Sequence, residues 1–205
     1  MKKALTLLML LVLVVSFVSA GSVYLDTGVS FSNGSRAIFS EGREVVDGLD
    51  YSVISLPIEA GYRHAFDNNI VISGSVAEYF TLSQKVDNRV VDDNKLPSST
   101  VIKAEAGYRM DINKEMYAEF LGGFSFGFGS EKNDHAKTSF TTISLVGEAG
   151  ISYEITDSVF LRAGAKLAFP FATNLTVKTS AASISGEMSG FMFNITPFIG
   201  GAYQF

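Results

Sequence analysis

From Val23 to the C-terminal Phe205, apolar and polar residues alternate with a period of two in one segment after another. The first segment sets Val23, Leu25, Thr27, Val29 and Phe31 on one face against Tyr24, Asp26, Gly28 and Ser30 on the other. The same alternation recurs over residues 54–63, 70–82, 102–110, 116–128, 143–153, 159–169 and 190–205, which predicts eight strands. Short connections, His64 to Asn69, Asp111 to Lys114 and Glu154 to Ser158, alternate with long polar ones. The long ones are Asn33 to Gly48, Gln84 to Ser99, Gly129 to Ser139 and Pro170 to Ser189, and all are expected to be loops. The expected fold is therefore all-β, an antiparallel up-and-down arrangement of eight neighbouring strands.

The polar face is rich in small residues, among them Gly28, Gly61, Ser73, Ser75, Gly107, Gly123, Ser125, Gly150 and Gly164. Glycine weakens a strand that faces water, whereas the inside of a narrow eight-stranded barrel has little room for anything larger. The charges on that face come in both signs: Glu59, Arg63, Lys103, Glu105, Arg109, Glu119, Glu148, Arg162 and Lys166. Turned towards lipid at mid-depth, each Arg or Lys would cost roughly 2–4 kcal/mol, so these nine residues are expected to form a lumenal polar network. The apolar face then faces lipid, and the fold becomes a transmembrane β-barrel. A soluble barrel with an apolar cavity would need the opposite arrangement.

The N-terminus carries Lys2 and Lys3, an apolar run over Leu5 to Val15, and the small residues Val18-Ser19-Ala20 ahead of Gly21. That is the pattern of a cleavable signal peptide, so residues 1–20 are expected to be removed and 21–205 to form the barrel domain. Ala4 to Ala20 is also close to the length of a short membrane anchor. No later apolar run reaches spanning-helix length, so a mature chain in a membrane must cross it as a closed barrel. The net charge of −5 becomes −7 once Lys2 and Lys3 are lost, and no basic cluster remains to bind nucleic acid. The sequence contains no cysteine, which excludes disulfides and cysteine-ligated metals.

The C-terminal residues Pro197, Ile199, Tyr203 and Phe205 keep the apolar parity to the last position, with Gly201 as a departure. This ending resembles the terminal signature of bacterial outer-membrane proteins, with Tyr203 and Phe205 as its assembly residues. Taken with the signal and the eight strands, the chain resembles the small OmpA-like, OmpX-like and OmpW-like barrels. The resemblance implies an integral protein of the bacterial outer membrane, with both mature termini in the periplasm. It implies the barrel-assembly machinery as a partner during biogenesis, outer-membrane lipid around the wall, and a monomer. No linker and peptidoglycan-binding domain follows the barrel, so full-length OmpA is not the expected match. Tyr62, Tyr108 and Tyr153 are expected as interfacial aromatics on the periplasmic side, and Phe128 on the outer side.

Little in the sequence points to catalysis. His64 falls in a short turn, and His135 beside Asp134 in a long loop, with no strand-borne serine or acid evidently paired with it. The small-barrel acyl hydrolases gather a Ser/His/acid set near the outer rim. Residues Gly122 to Gly129 contain several glycines but lack the lysine of a phosphate loop and read as strand. No catalytic residue, metal or cofactor is expected. The leading functional expectation is a structural or surface-interaction role through four outer loops, with a possible extracellular ligand there. The alternatives are a narrow pore or transporter for small, even hydrophobic, solutes and, more distantly, a lipid-modifying enzyme.

Overall fold

The computed structural model describes residues 21–40, 43–87, 89–90, 98–132, 136–179 and 183–205. Residues 1–20, which include the expected signal peptide, and Asp134 and His135 lie outside them. The described residues form ten strand segments: β1 (Ser22–Gly28), β2 (Ser30–Ser40), β3 (Arg43–Ala65), β4 (Ile70–Val86) and β5 (Arg89–Val90). They continue with β6 (Ser98–Asp111), β7 (Met116–Lys132), β8 (Ala136–Thr156), β9 (Val159–Thr179) and β10 (Ser183–Gln204).

These ten segments make eight staves. β1 and β2 are two parts of one stave, since both pair with β3 on one side and with β10 on the other. β5 pairs antiparallel with the last residues of β4, Lys85↔Val90 and Val86↔Arg89, on the side away from β3, and so belongs to the stave of β6. The stave of β1 and β2 is interrupted at Val29, opposite Pro197 of β10, and Pro57 lies at the same level in β3. Neither proline can donate to a ladder, which explains the break at this height. All neighbours are antiparallel, and β1 pairing with β10, Ser22↔Gln204 to Gly28↔Phe198, closes the barrel. Closure removes the free sheet edges, as lipid demands.

Both ends of the described chain and the three tight turns share one end of the barrel, called here the terminal end; the other is the far end. The expectation of long loops at the far end needs correction. β2 reaches Ser40 and β3 starts at Arg43; β7 reaches Lys132 and β8 starts at Ala136; β9 and β10 extend to Thr179 and from Ser183. Pairs such as Ser35↔Asp50, Ser130↔Ser139 and Lys178↔Ser183 continue the ladders through segments that read as loop. Strand pairing needs only backbone. Where both faces meet water, the apolar alternation vanishes without the strand ending. β3, β8, β9 and β10 run for 23, 21, 21 and 22 residues, whereas a tilted strand crosses the hydrocarbon in about ten. The surplus projects from the far end.

The wall has apolar side chains outside and polar ones inside. Leu25, Ile72, Phe120, Phe124, Leu145, Ile151, Leu161 and Ile199 are all exposed, in a belt far larger than the apolar patches of soluble monomers. Inside, Ser30, Ser73, Ser75, Ser125, Ser144, Ser152 and Thr196 are buried. Two of the inner glycines leave room for rings. A Cβ on Gly61 would stand 2.4 Å from Cζ of Tyr24, and one on Gly164 would stand 2.9 Å from the Phe198 ring and 2.2 Å from the Ala149 carbonyl oxygen.

One ladder is incomplete. Between Asn194↔Ala168 and Met188↔Thr173, the β9 residues Phe169 to Ala172 and the β10 residues Ser189 to Phe193 have no paired register. Pro170, which has no N–H, lies within this interruption, and Gly190 takes a φ of 136°. Phe171 and Phe191 stand out from the wall there, 60% and 67% exposed.

Candidate functional site: the lumen

The lumen holds a continuous chain of ion pairs. Starting at the terminal end, Arg109 donates to Glu119 Oε1 from Nε at 3.1 Å and from Nη2 at 2.9 Å. Arg63 donates through Nη1 to the other oxygen of Glu119 and through Nη2 to Glu148 Oε1 at 2.6 Å. Glu148 Oε1 also accepts from Arg162 Nη2 at 2.9 Å. Arg162 Nη1 then donates to both oxygens of Asp26 at 3.0 Å. Lys166 reaches Asp26 at 2.8 Å, Glu59 at 3.0 Å and Glu148 at 3.7 Å, and Lys103 donates to Glu59.

Aromatic rings fill the spaces between these charges. The Tyr24 hydroxyl donates to Glu59 Oε1 at 3.1 Å, and the same ring lies 4.6 Å from the Arg63 guanidinium carbon and 4.4 Å from that of Arg162. Lys166 Nζ stands 4.5 Å from the Phe198 ring centroid, and the Arg109 guanidinium carbon 3.9 Å from that of Tyr117. Tyr24, Tyr117, Phe160 and Ala202 form a small buried apolar cluster. A buried charge is tolerated when it is paired and hydrogen-bonded, and here nearly every charged head has several partners. The Arg63 Nε is an exception, buried with no hydrogen-bond acceptor.

Eight of the nine charged residues singled out in the sequence join this chain: Glu59, Arg63, Lys103, Arg109, Glu119, Glu148, Arg162 and Lys166. Glu105 does not. It is 7% exposed, and among the described residues no hydrogen bond or ion pair reaches its carboxylate. Asp26 is the member that sequence reasoning missed. It lies on the polar parity of the first strand, and its partners Arg162 and Lys166 come 136 and 140 residues later, so only barrel closure brings them together.

Beyond the ion chain, towards the far end, the lumen widens into a cavity of about 190 Å³. Lys103, Glu105 and Lys166 border it on the side of the ion chain. Its walls mix serine hydroxyls with the apolar side chains of Val53, Val101, Val146 and Phe140, and Pro170 and Met192 bring it against the interrupted ladder.

The aromatics singled out in the sequence lie on the outer surface. Tyr108 and Tyr153 are exposed near the terminal end; Asn69 donates to the Tyr108 hydroxyl at 3.5 Å, and the Tyr153 hydroxyl donates to Glu115 at 3.4 Å. Tyr62 stacks on Phe205 with centroids 6.5 Å apart, and Phe205 lies 6.4 Å from the Tyr203 ring. Phe128 is exposed towards the far end, 6.1 Å from the ring of Phe126. His64 packs edge-on against Phe66 at the terminal end.

A family model described as the outer membrane protein beta-barrel domain matches residues 4–187. No curated protein sequence matches the chain. Among solved structures, OprG from Pseudomonas aeruginosa superposes with a TM-score of 0.59 at 12% identity, over 91% of this chain and 97% of that one. Neisserial surface protein A gives a TM-score of 0.53 at 20% identity, over 89% and 97%. The outer membrane protease OmpT from Escherichia coli gives 0.51 at 8% identity, over 91% and 97%. At these identities the likeness is one of fold, and it extends to a protease as well as to barrels whose names state no catalytic activity.

Proposed function

The chain belongs to the family of outer membrane protein β-barrel domains, and from that premise we propose that it is a non-conducting barrel that acts at the cell surface. The ion chain across the lumen carries this reading. It ties side chains of β1, β3, β6, β7, β8 and β9 together across the lumen, and its members Asp26, Glu59, Arg63, Glu119 and Glu148 are each 2–4% exposed. An eight-stranded barrel has an interior just wide enough for side chains, and these occupy it at the level of the ion chain.

The short turns gathered at the terminal end support a periplasmic location for both mature termini, because outer-membrane barrels keep tight turns on that side. The long polar strand extensions then stand outside the cell and offer a surface for an extracellular ligand. Tyr62, Tyr108, Tyr153, Tyr203 and Phe205 would lie in the periplasmic headgroup region and Phe128 in the outer one. Tyr203 and Phe205 would be read by the assembly machinery, and the closed belt suits a monomer surrounded by lipid. In this reading the barrel acts by contact, without catalysis, and His64, packed on Phe66, lies at the end away from the projecting strands.

Planar-bilayer recordings of the purified protein are expected to show no conductance above the bare bilayer. Steady single-channel steps would overturn the reading. Replacing the far-end tip between β9 and β10 with a two-residue turn is expected to abolish surface binding while the barrel still assembles.

The interrupted β9–β10 ladder favours a second reading, in which a small solute enters the cavity from outside and leaves sideways into lipid. A disulfide joining β9 to β10 across the interruption would then stop uptake. Uptake that survived the cross-link would exclude that route.

A further inference from the structure

Among the described residues, Glu105 is the strand-borne acid lining this cavity that the ion chain leaves out. The chain itself joins five basic residues, Arg63, Lys103, Arg109, Arg162 and Lys166, to four acidic ones, Asp26, Glu59, Glu119 and Glu148. Lys103, two residues along the same inner face from Glu105, gives its ammonium to Glu59. Lys166, which also borders the cavity, is held by Asp26 at 2.8 Å and Glu59 at 3.0 Å. Glu105 is thus 7% exposed as a residue and lines the cavity, with no protein donor among the described residues reaching its carboxylate.

A carboxylate that opens onto a cavity without a protein donor is satisfied only by a group that brings N–H or O–H donors of its own. The space above Glu105 has apolar walls in Val53, Val101, Val146 and Phe140. A cavity of about 190 Å³ is slightly larger than the roughly 150 Å³ that holds a benzene ring. We propose that the far-end lumen is a binding site for a small organic ammonium ion, with its charged head on Glu105 and its apolar body against the valine and phenylalanine walls. The ion chain closes the site towards the periplasm, so the ligand enters and leaves on the far side. Ser125 and Ser144, also in the lining, can accept further N–H donors from the head.

Three probes of one shape test this: benzylammonium, benzyl alcohol and benzoate, titrated by calorimetry into protein extracted in maltoside micelles. Benzylammonium is expected to bind at least tenfold more tightly than the alcohol, as a charge-assisted hydrogen bond implies, with benzoate weakest. Glu105→Gln is expected to remove the preference for the amine and leave the alcohol's affinity unchanged. If Glu105 only balances the excess positive charge of the ion chain, the native protein will bind amine and alcohol equally or bind neither, and either result overturns the proposal. Amine preference that persists in Glu105→Gln overturns it too. Should that variant fail to assemble, Ser144→Phe, which fills the cavity without touching an ion pair, must abolish amine binding; retained binding is equally decisive against the site.

Discussion

Glu148→Ala is expected to lower the stability of the barrel by about 3–5 kcal/mol, the usual cost of removing one partner from a buried ion pair. Glu148 stands between three cations: Arg63 at 2.6 Å, Arg162 at 2.9 Å and Lys166 at 3.7 Å. Its loss leaves Arg63 with Glu119 alone, and Arg162 with Asp26 alone. Both guanidinium groups are almost fully buried, so water cannot easily replace the missing carboxylate. Glu148→Gln keeps the shape and an acceptor oxygen and should cost less. Urea titration in phospholipid vesicles, followed by the mobility difference between folded and unfolded barrel on a gel, measures both. An unmoved midpoint for the alanine variant would mean that the ion chain contributes nothing to stability.

Phe124→Arg is expected to cost about 2–4 kcal/mol, and the same change at Phe128 no more than about 1 kcal/mol. Phe124 is 59% exposed on the outer face at the middle of β7, while Phe128 lies four residues nearer the far end. The difference between the two sites reports depth in the bilayer, because an arginine near the interface can reach the headgroups and one at mid-depth cannot. The same titration reads it. Equal costs at the two positions would contradict the placement of the lipid belt.

The inward and outward sides of each stave were legible in the sequence because a strand has a period of two and lipid permits charge on only one face. The parity of Glu59, Arg63, Glu119, Glu148 and Arg162 follows from that alone. Which charges touch which was not legible, since alternation assigns a side and not a height or a partner. Asp26 is an ordinary acid on a polar parity until the first stave meets the last. Glu105 shares the parity of Glu59 and Glu148, but Lys103, two residues away on the same face, gives its ammonium to Glu59. Tyr24 and Phe198 also escaped notice, because rings on an otherwise polar face read as exceptions until the glycines beneath them, Gly61 and Gly164, are seen to make room. The far-end strands were hidden for a different reason. They stand in water on both faces, so backbone pairing is their only signature.

The ion chain also has an order in time. Asp26 and Arg162 are separated by 136 residues, Asp26 and Lys166 by 140, and Arg63 and Glu148 by 85. These groups face one another only across a rounded lumen, after β1 has met β10. While the sheet is still open Asp26 lacks both of its cations and Arg63 lacks Glu148, whereas pairs on neighbouring strands, such as Arg109 with Glu119 and Arg162 with Glu148, can already form. What the long-range pairs add arrives only with closure, and any interaction absent from the transition state slows unfolding without hastening folding. The pairs that span the seam are in this sense a latch, made only when the first stave meets the last.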